Sequence, residues 1–152
     1  MEKKKIMMIA VWVLTLVWMG VIFYLSNQPA VQSSHLSTGV TKIFVIIMEN
    51  IIPGIKNLEF ESLETWIRKN AHFIAYFVLG VLALVSLKLS NIKKASLCAI
   101  VICISYAISD EFHQLFVFGR SCQFSDVLID TAGAFLGILL AIVITRILAR
   151  RF

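Results

Sequence analysis

Residues 125–141 read SDVLIDTAGAFLGILLA, and their spacing decides how the chain folds. Asp126, Asp130, Gly133, Gly137 and Ala141 follow one another at offsets of four, three, four and four. On a helix of 3.6 residues per turn these positions fall within roughly 80° of one another. Gly133 and Gly137 form a GxxxG pair, the pattern that lets two helices approach closely in lipid. The face that packs against neighbours is therefore the face that bears Asp126 and Asp130, and both carboxylates are expected to point into a bundle. Ser125 is the expected N-cap, and an acid in the first turn complements the helix dipole, which accounts for Asp126 structurally. Asp130 lies a turn deeper, beyond the reach of that explanation.

The rest of the chain is built to match. It has 152 residues, 59% of them hydrophobic and 15% charged, with a mean hydropathy of +0.88. That is far more apolar than a soluble domain, and a span needs about 20 apolar residues. Four segments qualify, at about 6–25, 71–89, 95–117 and 127–145. The expectation is an all-α, polytopic four-helix bundle forming a single transmembrane domain over 1–152. The basic start MEKKK resembles a signal peptide, but its apolar run is long and no small-x-small cleavage site follows, so a retained helix is expected. In the long first loop Val40, Ile43, Phe44, Ile47 and Ile51 recur at helical spacing. They predict an additional short interfacial or re-entrant helix ending near Pro53-Gly54, with a plain amphipathic packing helix as the simpler form of the same element.

Charge sets the orientation. Lys3, Lys4 and Lys5, then Lys88, Lys93 and Lys94, then Arg146, Arg150 and Arg151 fall on one side of an up-and-down path, which the positive-inside rule makes cytoplasmic, with both termini there. The opposite, outward half holds eight of the nine acids and five of the fourteen bases. The net charge of +5 comes from short groups beside apolar runs and not from a basic, aromatic-interleaved face, so no nucleic-acid partner is expected. Cys98 and Cys103 sit within an apolar run and Cys122 in a polar loop, placing no pair for a disulfide.

The outward ends carry the candidate chemistry. In RKNAHFIAY, Arg68, His72 and Tyr76 are spaced by four and line one face, with Lys69 beside them. In YAISDEFHQLF, Tyr106 and Asp110 share a face, His113 and Gln114 lie three and four residues further on, and Glu111 points elsewhere. An ionised Asp beside a His sets its tautomer, as a general acid or base requires and as a satisfied polar network also provides. Arg120 follows Gly119 on a loop, where a guanidinium suits bidentate capture of phosphate or carboxylate. The catalytic candidates are thus His113, Asp110, His72 and Asp130, and the substrate-binding candidates Arg68, Lys69, Tyr76, Gln114, Arg120 and Asp126. Carboxylates with imidazoles could hold Mg, Mn or Zn, but no HxxxH or comparable short-spacing motif is present and no cofactor is assigned. There is no G-x-S-x-G nucleophile signature.

At FYLSNQP (23–29), RKNAHFIAYFVLG (68–80), SDEFHQLFVFGRS (109–121) and SDVLIDTAGAFLG (125–137) the chain resembles the VanZ-like family of small bacterial membrane proteins. Where family members often carry proline before the Gly-Arg pair, this chain has Phe118. The resemblance implies a plasma-membrane protein of the cell envelope, in a family named for an accessory protein of glycopeptide resistance associated with reduced sensitivity to teicoplanin. It implies no settled reaction. Three roles fit the residues: an outward site acting on an anionic lipid or lipid-linked wall intermediate, a non-catalytic binding or proton-coupled transport module, and a structural clasp.

Overall fold

A computed structural model describes residues 2–29, 38–43, 45–47 and 60–151. It contains α1 (Glu2–Ser26), a short α2 (Thr38–Ile47), α3 (Phe60–Leu89), α4 (Ala95–Gln114) and α5 (Phe124–Arg151). Among the described residues there are no strands. Four helices are long and apolar enough to cross a membrane, so the all-α, four-span architecture with an extra short helix is what the chain adopts. Phe44, Ile51 and Pro53-Gly54 lie outside the described residues. In α2 itself Val40, Ile43, Ile46 and Ile47 are exposed while Thr41 is buried.

Small side chains make up much of the bundle's interior, and many large apolar ones lie outside. Ala83, Ala95, Ala99, Ala107, Ala134 and Ala141 are buried together with Leu79, Leu84 and Ile138, whereas many Leu, Ile, Val and Phe side chains of α1, α4 and α5 face outward. Lipid gives Leu and Phe nothing to hide from, so interfaces form where small residues permit close contact and dispersion. The closest pair is α3 with α5. A Cβ placed on Gly133 would strike the Phe73 carbonyl oxygen, one on Gly137 that of Phe77, and one on Gly80 that of Ala134. Glycine is required at these positions because the backbones touch. The contact also fixes register: with Gly133 seated on Phe73, Asp130 is brought beside His72.

Hydrogen bonds tie the remaining helices on. Trp12 and Trp18 of α1 donate to Ser90 Oγ and to the Ala75 carbonyl, each at 2.9 Å, and Thr15 pairs with Ser86 at 2.9 Å. Tyr106 of α4 donates to the Met19 carbonyl at 2.6 Å. α3 ends in a Schellman motif, with Ile92 N–H bonded to Leu87 C=O, Asn91 N–H to Lys88 C=O, and Asn91 in the left-handed region at φ 58.

Several helix ends differ from the expected ones: α3 begins at Phe60 rather than 71, and α5 runs from Phe124 to Arg151 rather than over 127–145. α4 stops at Gln114, not 117, because the chain turns there. Phe116 and Val117 N–H groups bond back three residues, and a turn closed by Arg120 N–H on Val117 C=O places Gly119 at φ 76. The apolar run Leu115–Phe118 is thus a turn whose aromatic rings face outward, Phe118 at 85% exposure. At the other end of the turn α5 begins at Phe124, so Ser125 lies in its first turn, bonded to Asp126 and Lys69 rather than capping.

Candidate functional site

The end of α1, the stretch of α3 from Arg68 to Tyr76, the end of α4 and the start of α5 meet at the pole of the bundle opposite both termini. The α4 contribution follows from its buried face. Ala95, Ala99, Cys103 and Ala107 step by four along that face, and it continues into Asp110, Glu111 and Gln114, all buried.

Asp110 and Asp130 are 4% and 2% exposed, and with His72 they place one potential ligand atom each within 4.8 Å of one another. His72 Nδ1 stands 3.8 Å from Asp130 Oδ2, within ion-pair reach but too long for a hydrogen bond. Asp110 Oδ2 accepts from Ser26 Oγ at 2.7 Å, and Ser26 in turn accepts from Gln114 Nε2 at 2.8 Å. Asp110 Oδ1, Asp130 Oδ1 and the Tyr76 hydroxyl, the last on a fully buried ring, have no partner among the described residues.

Above this group lies a basic rim. Lys69 Nζ binds Asp126 Oδ1 at 2.9 Å, half-exposed on both sides. Arg120 Nε donates to the Gln28 carbonyl at 3.1 Å, and its Nη1 reaches Gln114 Oε1 at 3.5 Å. Burial lowers the Arg120 pKa from its ordinary value, and the nearby Arg68 charge adds to that, against the opposing pull of Asp110, Glu111 and Asp126. Two guanidinium groups held this close favour an anion between them.

Three hollows open here. A small one of about 20 Å³ lies between rim and acids, lined by Arg68, Lys69, His72, Arg120 and Asp130 among others, room for about one water-sized occupant. A polar one of about 150 Å³ lies beside Arg68, Arg120 and Ser121. The third, about 230 Å³, has apolar walls from Ile22, Leu25, Val40 and Ile67 and ends at Arg68, His72 and Arg120.

Of the residues singled out from sequence, His72, Asp110, Asp130, Tyr76, Gln114, Arg68, Lys69, Arg120 and Asp126 gather at this pole. His113 is turned away from the acids: its Nε2 meets Asn27 Oδ1 at 3.1 Å and its ring lies 4.6 Å from that of Phe23. The geometry therefore differs from an Asp110-oriented His113, since Ser26 takes the Asp110 oxygen and Asn27 the imidazole. Glu111 faces the α4–α5 turn, where its Oε1 accepts the Gln123 backbone N–H at 2.6 Å.

Ser26, Asn27 and Gln28, quoted within FYLSNQP, receive no role in the site from the sequence. Each of the three holds one part of the site: Asp110, His113 and Arg120 respectively. Their signal was three polar residues in a row closing an apolar span, at the pole where the acids collect.

No curated protein and no solved structure matches the chain. A model of the family described as VanZ/LLP1 matches residues 11–145, and the protein, a multi-pass membrane chain by its four apolar helices, belongs to that family.

Proposed function

We propose that this pole takes up an anionic lipid or lipid-linked cell-wall intermediate at the outer leaflet of a bacterial plasma membrane, and through it affects glycopeptide susceptibility, teicoplanin included. One observation carries the reading: the apolar hollow of about 230 Å³ runs directly into Arg68 and Arg120. A hydrocarbon chain fits the walls, and a phosphate fits the guanidinium pair at their end, where bidentate contacts are available. Lys69 adds positive charge at the rim. His72 beside Asp130 is the nearest acid–base pair to a headgroup bound there, and Asp110 lies behind it. The basic clusters at the opposite pole support the outward orientation.

A second reading, a non-catalytic binding or proton-coupled transport module for a lipid carrier or lipoglycopeptide, is favoured by the burial of Asp110 and Asp130 with one unpartnered oxygen each. Ionisable groups inside a span are as natural in a relay as in an active site.

The test uses the protein in nanodiscs, with a polyprenyl phosphate and the matching neutral polyprenol as probes. The phosphate is expected to bind saturably, and Arg120→Ala to weaken it by about 10- to 100-fold, the worth of a charge-assisted hydrogen bond. Equal affinity for the neutral alcohol defeats the anionic-lipid reading. Product analysis with lipid-linked wall precursor then separates the two roles: turnover lost in Asp130→Asn with binding retained marks an enzyme, and binding without turnover marks the module.

A further inference from the structure

We propose that His72, Asp110 and Asp130 form a binding site for one divalent transition ion, Zn²⁺ or Mn²⁺, at the centre of the bundle's site pole. The site is the right size. One potential ligand atom from each residue lies within 4.8 Å of the other two, and ligands at tetrahedral angles about 2.0–2.2 Å from one ion lie about 3.3–3.6 Å apart, so the three need to draw together by about 1 Å. A small closure of the side chains brings all three to an ion.

Charge points the same way. Two buried carboxylates need two positive charges to avoid a heavy desolvation cost. His72 supplies one at most. Lys69 is held by Asp126, Arg120 gives two of its five N–H groups to Gln28 and Gln114, and among the described residues no ion pair joins Arg68 or Arg120 to Asp110 or Asp130. A doubly charged ion balances both acids and leaves His72 neutral, the form that ligates.

The unpartnered atoms are a separate observation. Asp110 Oδ1 and Asp130 Oδ1 have no partner among the described residues, nor does the Tyr76 hydroxyl, one helical turn beyond His72 on a fully buried ring. Native interiors seldom leave three such atoms together, and an ion with a bound water would satisfy all of them.

The surroundings are those of a supported ligand set. Ser26 holds Asp110 by Oδ2 and leaves Oδ1 available, while the Gly133–Phe73 backbone contact fixes Asp130 against His72. The mixture of one imidazole and two carboxylates suits Zn²⁺ or Mn²⁺ over the all-oxygen cages of Ca²⁺. The hollow of about 20 Å³ on the rim side gives a remaining coordination position access to water or an anionic oxygen.

The experiment takes the untagged full-length protein, stripped with chelator and kept free of added phospholipid phosphate, and titrates it with Zn²⁺ or Mn²⁺. One ion per chain is expected to bind. Mn²⁺ should show electron spin-echo modulation from a directly bound imidazole ¹⁴N, absent in His72→Gln. Asp130→Asn, close in shape to the native residue, should lose about 100-fold or more in affinity, and Ser26→Ala about 10- to 100-fold, as for a group that orients a ligand. Cys122→Ser, which removes an exposed thiol, should bind as the wild type does. Should Asp130→Asn fail to fold, the nitrogen coupling and the Ser26→Ala titration decide. Undiminished binding in His72→Gln, a Mn²⁺ signal without nitrogen coupling, or no uptake at all overturns the site, the last leaving a shared proton to neutralise the acids. The inference shares residues with the lipid reading but not its test, because polyprenyl phosphate binding is measured in chelated buffer with Arg120→Ala, and either can fail while the other stands.

Discussion

Tyr76 concentrates the physics of the site in one side chain. Its ring fills the core, but its hydroxyl has no partner among the described residues. A buried hydroxyl without a partner costs about 1–3 kcal/mol. In chelated protein Tyr76→Phe should therefore unfold at a higher temperature than wild type, by an amount corresponding to about 1 kcal/mol or more; a lower midpoint would mean that the hydroxyl has a partner after all. His113 and Glu111 show what the spacing made legible at this scale and what it did not. Asp110, His113 and Gln114 look equivalent when counted from Tyr106. Counted instead from Ala95, Ala99, Cys103 and Ala107, the buried face runs on to Glu111 and Gln114, and His113 falls roughly a quarter-turn to one side, at about 100° per residue. The small-residue series therefore carried the information. What no spacing supplies is which neighbour stands on that other side, and there it is α1, with Asn27 and Phe23.

For whole elements the sequence was more readable, because a GxxxG series in an apolar run constrains its neighbour. The α5 face bearing Gly133 and Gly137 does pack against a helix, and Asp130 is carried inward with it. Which helix it meets was not written in the pattern: the carbonyl of any helix could lie over a glycine, and only the seating of Phe73 and Phe77 identifies α3. Gly133→Ala or Gly137→Ala would push a Cβ into that backbone and should cost about 1–3 kcal/mol, read as a lower thermal midpoint in detergent. Gly20→Ala, with nothing within 4 Å of its added carbon, should show no such loss. The α4–α5 turn offers the opposite case. Gly119 occupies the third position of a hydrogen-bonded four-residue turn at positive φ, and Phe118 the second, where proline is favoured. Phe118→Pro is expected to stabilise the protein by about 0.4–1 kcal/mol; a destabilised variant would show that this turn is not of the proline-compatible form.

On the scale of the molecule, the termini and the three basic clusters share one pole, and the acids with the basic rim occupy the other. The orientation proposed from that asymmetry is checked at Cys122, exposed in the α4–α5 turn, while Cys103 is buried. In a Cys98→Ser, Cys103→Ser chain, a membrane-impermeant maleimide should label Cys122 in intact cells, and protection until lysis would reverse the assignment. The poles differ in another respect, set by the glycine contacts between α3 and α5. Sliding one of these rods along the other would have to drag each glycine across a carbonyl, so the pair can serve only as a fixed doorpost. α1, which buries the smallest share of its residues among the four rods, is pinned to α3 and the turn after it at Trp12, Thr15 and Trp18 and holds the pole by Ser26, Asn27 and Gln28, so its end is the latch beside that doorpost. A guest arriving sideways from the lipid would come in along its edge, unlatching three consecutive side-chain and carbonyl fastenings as it passed.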